Sequence, residues 1–218
     1  MRVRKKPWAA SFINDHQEYI VLEPKNYLGK WQSRFAKEQP LHVEIGTGKG
    51  QFIIEMAKQH PEINFIGIEL QESVIATALR TFLEAPTPNL QFVLTDGGDV
   101  NEFFNQHEIE KIYLNFSDPW PKSRHAKRRL TSPGFLKSYQ EVLQEDGAIE
   151  FKTDNRGLFE YSLISFNNYG MSYEYVSLDL HNSPEAVTNV ETEYEQKFSP
   201  KGPIYKLVAK FNSSLPDD

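Results

Sequence analysis

From residue 41 onward, apolar positions alternate between short runs and helical spacings. Leu41, Val43 and Ile45 predict a short buried strand, and a glycine turn follows, Gly46-Thr-Gly-Lys-Gly50. Phe52, Ile53, Met56 and Ala57 then recur at i, i+1, i+4, i+5, the spacing of one helical face. The same alternation repeats. Asn64 to Leu70 predicts a strand, Gln71 to Glu84 a helix with Ile75, Leu79, Phe82 and Leu83 on one face, and Leu90 to Leu94 a third strand. Lys111 to Phe116 predicts a fourth. Ser132-Pro133 reads as an N-cap and first helical position, Phe135, Tyr139, Val142 and Leu143 as the helix face, and Gly147 as its stop. Ala148 to Thr153 predicts a fifth strand, followed by a helix ending at Gly170. Met171 to Leu180 alternates as a strand, and Ile204 to Phe211 closes the pattern. Between them His181 to Pro203 reads as a long loop, of the kind that is usually functional or mobile. Before Leu41 there is no clear period. Trp8 and Phe12 can anchor the beginning, and the segment to Pro40 reads as a partly helical extension packed on one domain, residues 41–218.

A strand, a glycine turn and a helix start form the nucleotide-proximal element of a doubly wound α/β sheet. Two relatives of that element are excluded. The dinucleotide fingerprint G-x-G-x-x-G requires glycine at position 51, where Gln51 stands, and the P-loop requires Ser or Thr after Lys49, where Gly50 stands. Acids sit at the ends of successive strands: Glu44, Glu69, Asp96 and Asp118. In such sheets ligands bind outside the carboxyl ends, and an acid after the second strand accepts from ribose hydroxyls. Glu69 therefore points to a nucleoside. Glu44, beside the glycine turn, can hold a cationic amine, which the methionyl end of S-adenosylmethionine carries and a nicotinamide dinucleotide lacks.

The fourth strand opens the most unusual stretch, Leu114 to Leu130. Asp118 is followed by Pro119-Trp-Pro121, two prolines that restrict the backbone around an indole. Lys122, Arg124, Lys127, Arg128 and Arg129 come next, with no acid among them. Trp120 can stack on a base, as aromatics do in RNA recognition, or pack into the core.

Charge gives this stretch its meaning. The 218-residue chain has a net charge of −6. Residues 1–14 and 122–129 together hold nine cations and no acid, leaving −15 for the rest. Cations confined to two patches on an acidic body suggest a surface aimed at a polyanion. The absence of cysteine excludes disulfides, thiolate metal sites and a thiolate nucleophile. Six scattered histidines suggest no metal site. No apolar run approaches the roughly 20 residues of a membrane helix, and no apolar signal core is visible.

Asn115-Phe-Ser-Asp-Pro-Trp-Pro-Lys122, Val43-Glu-Ile-Gly-Thr-Gly-Lys-Gly50 and Phe65-Ile-Gly-Ile-Glu69 resemble the bacterial tRNA (guanine-N7-)-methyltransferases. Phe151-Lys-Thr-Asp-Asn155, Asp179-Leu-His-Asn182 and Thr192-Glu-Tyr-Glu195 extend the likeness over nearly the whole chain, the basic arm included. The resemblance implies a Rossmann-like class I methyltransferase with a mostly parallel, seven-stranded sheet and helices on both faces. It implies a cytoplasmic enzyme, monomer or homodimer, that methylates N7 of a guanosine in the tRNA variable loop from S-adenosylmethionine. Glu44, Glu69, Asp96 and Asp118 fall on the family's cofactor-binding acids, beside Gly46 and Gly48 of the turn, and Asp118 is also its catalytic candidate. Lys122, Asp154, Thr192, Glu193, Tyr194 and Glu195 fall on substrate-binding positions. Arg124, His125, Ala126, Lys127, Arg128 and Arg129 fall on the RNA-contacting run. Two rival readings remain. A nicotinamide-dependent reductase shares the glycine turn but fails at Gln51, and an inactive tRNA-binding protein has no use for four acidic strand ends.

Overall fold

The computed structural model describes residues 5–212. Arg2 and Arg4 of the basic arm lie outside them.

In chain order the described elements are α1 (Ala9–Asn14), β1 (Ile20–Val21), β2 (Leu41–Ile45), α2 (Gln51–Gln59), β3 (Asn64–Glu69), α3 (Glu72–Phe82), β4 (Leu90–Leu94), β5 (Ile109–Asn115), α4 (Pro133–Val142), β6 (Leu143–Thr153), α5 (Arg156–Asn168), β7 (Met171–Ser177), α6 (Glu193–Phe198) and β8 (Tyr205–Phe211). The strands form one sheet in the order β1-β4-β3-β2-β5-β6-β8-β7. Strands β1 to β6 pair in parallel, while β8 runs antiparallel to both β6 and β7. From β2 the chain winds outward through β3 and β4, then returns to place β5 on the other side of β2. The sheet therefore has its switch point between β2 and β5, where ligands of open α/β sheets bind.

The central strands are apolar on both sides because helices cover both faces. Phe65, Leu90, Phe92 and Tyr113 point to a core shared with α1, α2 and α3. Their neighbours Ile66, Ile112 and Leu114 point to the opposite core, with Leu136, Tyr139 and Val142 of α4 and Leu158, Phe159 and Phe166 of α5.

Three sequence expectations are corrected. The sheet has eight strands rather than seven, because Ile20–Val21 pairs with Phe92–Val93 on the otherwise open edge of β4. Gly147 is not a helix stop. Helix α4 ends at Val142, and a register shift carries the chain into β6, where a Cβ on Gly147 would lie 2.9 Å from Gln144 O and 3.0 Å from Glu110 O. The segment 181–203 is not an open loop, since it holds α6 and three short 3-10 turns. The aperiodic extension before Leu41 is tied down by buried residues, Ile13, Ile20 and the largest of them, Trp31. Trp31 donates its indole N–H to the carbonyl of Phe103 at 2.7 Å and packs between Tyr27 and Phe104.

Candidate active site

The glycine turn after β2 is held by an acid from the next strand. The Gly48 N–H donates to Glu69 Oε2 at 3.1 Å, and the Gln71 N–H donates to Glu69 Oε1 at 2.9 Å. Each carboxylate oxygen keeps a second lone pair for a hydroxyl. Gly46 and Gly48 have φ of 80° and 59°, a region that disfavours any Cβ, and a Cβ on either would meet nothing within 4 Å. The backbone there faces open space. Asp96 caps the short turn that follows β4, its Oδ1 accepting the Gly98 N–H at 3.0 Å.

Glu44 is 1% exposed and lies at the back of the site. Thr47 Oγ1 donates to its Oε2 at 2.5 Å and Asn115 Nδ2 to its Oε1 at 2.8 Å. Burial pushes its carboxyl up to about 7, against the opposing pull of those hydrogen bonds and of Lys152.

Two cavities open along the carboxyl edge. One, about 340 Å³, is lined by Glu69, Leu70, Asp96, Asp118, Trp120 and Arg128 among others. The other, about 600 Å³, runs from the glycine turn and Glu44 to Thr192, Glu193, Tyr194 and Phe198. Gly46, Asn115 and Phe116 line both, so the cavities meet at the switch point. At that junction Asn115 Oδ1 is buried without a hydrogen-bond partner, as is Ser117 Oγ nearby.

The turn after β5 bends through two left-handed residues that are not glycine, Phe116 at φ 51° and Trp120 at φ 41°. Such conformations cost roughly 1–3 kcal/mol each and persist where the surroundings hold them. Arg129 is one such hold. Its Nε donates to the Pro119 carbonyl and its Nη2 to the Trp120 carbonyl, both at 3.0 Å, while the guanidinium lies 4.2 Å from the Tyr161 ring centre. Trp120 is half-buried at the cavity wall, not in the core, with the Arg128 guanidinium 4.9 Å from its ring. Lys122, Arg124, Lys127 and Arg128 are exposed, Arg128 as part of the cavity lining, and His125 and Ala126 are half-buried beside them in sequence.

Helix α6 roofs the second cavity. Lys49 Nζ pairs with Glu193 Oε1 at 2.8 Å, and the Tyr194 hydroxyl donates to Asp154 Oδ2 at 3.1 Å. Tyr194 stacks on Phe198 and leans on Phe116. Thr192 caps the helix, accepting the Glu195 N–H. Glu195, expected among the substrate contacts, is fully buried beneath the helix. It accepts from Lys152 Nζ at 2.8 Å and Asn189 Nδ2 at 2.8 Å, and lies 2.9 Å from His181 Nε2. Burial alone would raise its carboxyl, but Lys152 and these partners prevail and hold it below the usual range. Lys152, equally buried, also donates to the Val190 carbonyl and Asn189 Oδ1. Sequence reasoning missed Asn115, Lys152, His181 and Arg129 in these roles. All but Arg129 stand in quoted motifs, but nothing local shows what each touches.

Solved structures share the architecture. A 16S rRNA methyltransferase, KamB, matches with a TM-score of 0.65 at 12% identity, over 85% of this chain and 94% of that one. A 30S ribosomal A1408 methyltransferase from an uncultured bacterium matches at 0.56 and 16% identity, over 96% and 97%. These likenesses show the class I methyltransferase fold. A family profile described as putative methyltransferase matches residues 38–207. The tRNA (guanine-N7-)-methyltransferase of Lactiplantibacillus plantarum is 63% identical over 211 residues, 97% of this chain and 99% of the relative. That of Lysinibacillus sphaericus is 57% identical over 218 residues, 99% and 100% of the two chains. This chain belongs to the tRNA (guanine-N7-)-methyltransferase family.

Proposed function

We propose that the protein transfers a methyl group from S-adenosylmethionine to N7 of a guanosine in the variable loop of tRNA, giving 7-methylguanosine. The observation that carries this reading is the meeting of the two cavities at Gly46, Asn115 and Phe116, with Arg128 on the first and the exposed cations Lys122, Arg124 and Lys127 in the turn that leads to it. A nucleoside cofactor in the first cavity thereby reaches a base entering the second.

The residues present fit that cofactor. Gly46 and Gly48 leave backbone open to it, Glu69 and Asp96 suit its hydroxyls and base, and the buried Glu44 with the unpartnered Asn115 Oδ1 suits a cationic tail. Glu44, Gly46, Gly48, Glu69, Asp96 and Asp118 would hold it. When bound, it supplies an electrophilic methyl group on a sulfonium. Guanine N7 bears a lone pair and no hydrogen, so the chain needs no general base. Its work is alignment of donor and acceptor and support of the positive charge that appears on the purine. Asp118 on the first cavity and Asp154 beneath Tyr194 provide carboxylates for that charge. Thr192, Glu193 and Tyr194 frame the nucleoside, Lys122 reaches towards it from the exposed turn after Asp118, and Glu195 holds α6 in place from below. Arg124, Lys127 and Arg128 meet the tRNA, with His125 and Ala126 beside them and Arg129 holding the turn that presents them, and with a contribution from the basic arm in the extension, residues 1–40. The site belongs to the domain of residues 41–218, in a cytoplasmic enzyme.

Transfer of labelled methyl from S-adenosylmethionine to unmodified bulk tRNA tests the reading, alongside thermal shifts with S-adenosylhomocysteine and with NADH. Stabilisation by the homocysteine compound and label in tRNA are expected. Stabilisation by NADH alone would overturn it.

A further inference from the structure

We propose that Asn115 binds the cofactor's α-ammonium group through its side-chain oxygen, with Glu44 setting the direction of the amide. The inference rests on the methyltransferase reading and deepens it. Asn115 ends β5, the strand beside β2 at the switch point, and is 8% exposed. Its Nδ2 donates to Glu44 Oε1 at 2.8 Å, while Thr47 donates to the other oxygen of the same carboxylate. Glu44 therefore accepts from both sides, which fixes the NH2 end of the amide towards it. The carbonyl end must then face away, and Oδ1 is buried there without a partner.

A buried acceptor left open is costly unless a donor arrives. Asn115 lines both cavities, so the donor comes from one of their occupants. The cationic end of the cofactor is the better match. Glu44, one hydrogen bond behind Asn115, places a carboxylate where an ammonium would gain from it, and the open backbone of Gly46 lies beside both. Asn115 then joins a relay in which ammonium donates to Oδ1, Nδ2 donates to Glu44, and Thr47 completes the carboxylate.

Three probes test this: S-adenosylhomocysteine, its analogue lacking the α-amino group, and methylthioadenosine, which lacks the whole amino-acid tail. The wild-type protein should bind the deaminated analogue about 10- to 100-fold more weakly than S-adenosylhomocysteine. Asn115→Leu should lose that preference while binding methylthioadenosine as the wild type does, which shows the nucleoside cavity intact. Asn115→Asp keeps an acceptor and should keep the preference. If Asn115→Leu retains the full preference, the oxygen serves another donor, such as the base, and the inference falls. Should Asn115→Leu fail to bind methylthioadenosine, Asn115→Asp decides, and loss of the preference there overturns the inference. A wild-type protein that binds none of the three sinks the methyltransferase reading itself.

Discussion

Glu44 gives up its proton at a higher pH than its unfolded counterpart would, and this ties the site to pH. Its carboxyl is raised from 4.5 to about 7, so between those values the folded protein binds more protons than the unfolded chain. Stability contributed by this group therefore falls as pH rises through that window, by about 3 kcal/mol in all, and is flat above 7. Ligand binding runs the opposite way. An ammonium beside Glu44 favours its ionised form, so affinity for S-adenosylhomocysteine should climb from pH 5.5 to 7 by up to about tenfold per unit, then level off. Calorimetric titration across pH checks this, with Glu44→Gln expected to lack the climb. A flat wild-type profile would mean that no cation approaches Glu44. Among the basic residues, Arg128 and Arg129 are adjacent but differ in kind. Arg128 lies open on Trp120, whereas Arg129 spends its donors on the Pro119 and Trp120 carbonyls. The run of charges is plain in the sequence, but this division is not, because it depends on the left-handed turn at Trp120 that no glycine announces.

Among the elements, α2 and α3 were legible because each buries one face at the helical period, and β2 and β3 because each is a short, buried run bounded by turns. Helix α6 was not, since it is six residues long and its one buried member is an acid, Glu195. Charge suggests that such a residue is exposed, and its partner Lys152 lies 43 positions away. This buried pair anchors the roof of the second cavity. Lys152→Met should strand the Glu195 carboxylate and cost about 3–5 kcal/mol, whereas adding Glu195→Leu should restore much of the loss. The double variant should fold yet turn over tRNA poorly, because Thr192 to Tyr194 lose their support. Urea unfolding of the two single variants and the double variant checks the coupling. Additive losses would show that the two side chains do not act as a unit. The edge strand β1 and the anchor Trp31 were missed for a related reason. A two-residue strand has no measurable period, and Trp31 finds its partner, the Phe103 carbonyl, 72 residues later.

On the scale of the whole molecule, an acidic protein has to hold a polyanion, and the sequence already separated the cations into two patches. Lys122, Arg124, Lys127 and Arg128 stay exposed, with no carboxylate partner among the described residues. The other patch reaches back onto the domain at Lys6, whose backbone N–H donates to Ser73 Oγ at 2.9 Å on α3. Phosphate contacts release counterions, so replacing Arg124 and Arg128 by alanine should weaken tRNA binding and reduce the slope of log affinity against log salt by roughly one to two units. Affinity for S-adenosylhomocysteine should hardly change. An unaltered slope would reduce these cations to a solvated surface.

The central claim is methyl transfer to guanine N7 at the junction of the two cavities, with Asp118 beside the reacting atoms. The most direct measurement is mass identification of the nucleoside formed in unmodified tRNA by the wild type and by Asp118→Asn, whose side chain keeps its size but loses its charge. The account predicts 7-methylguanosine in the variable loop from the wild type and turnover at least tenfold lower in the variant, with the fold intact. A different methylated nucleoside, or equal turnover from both proteins, would contradict it.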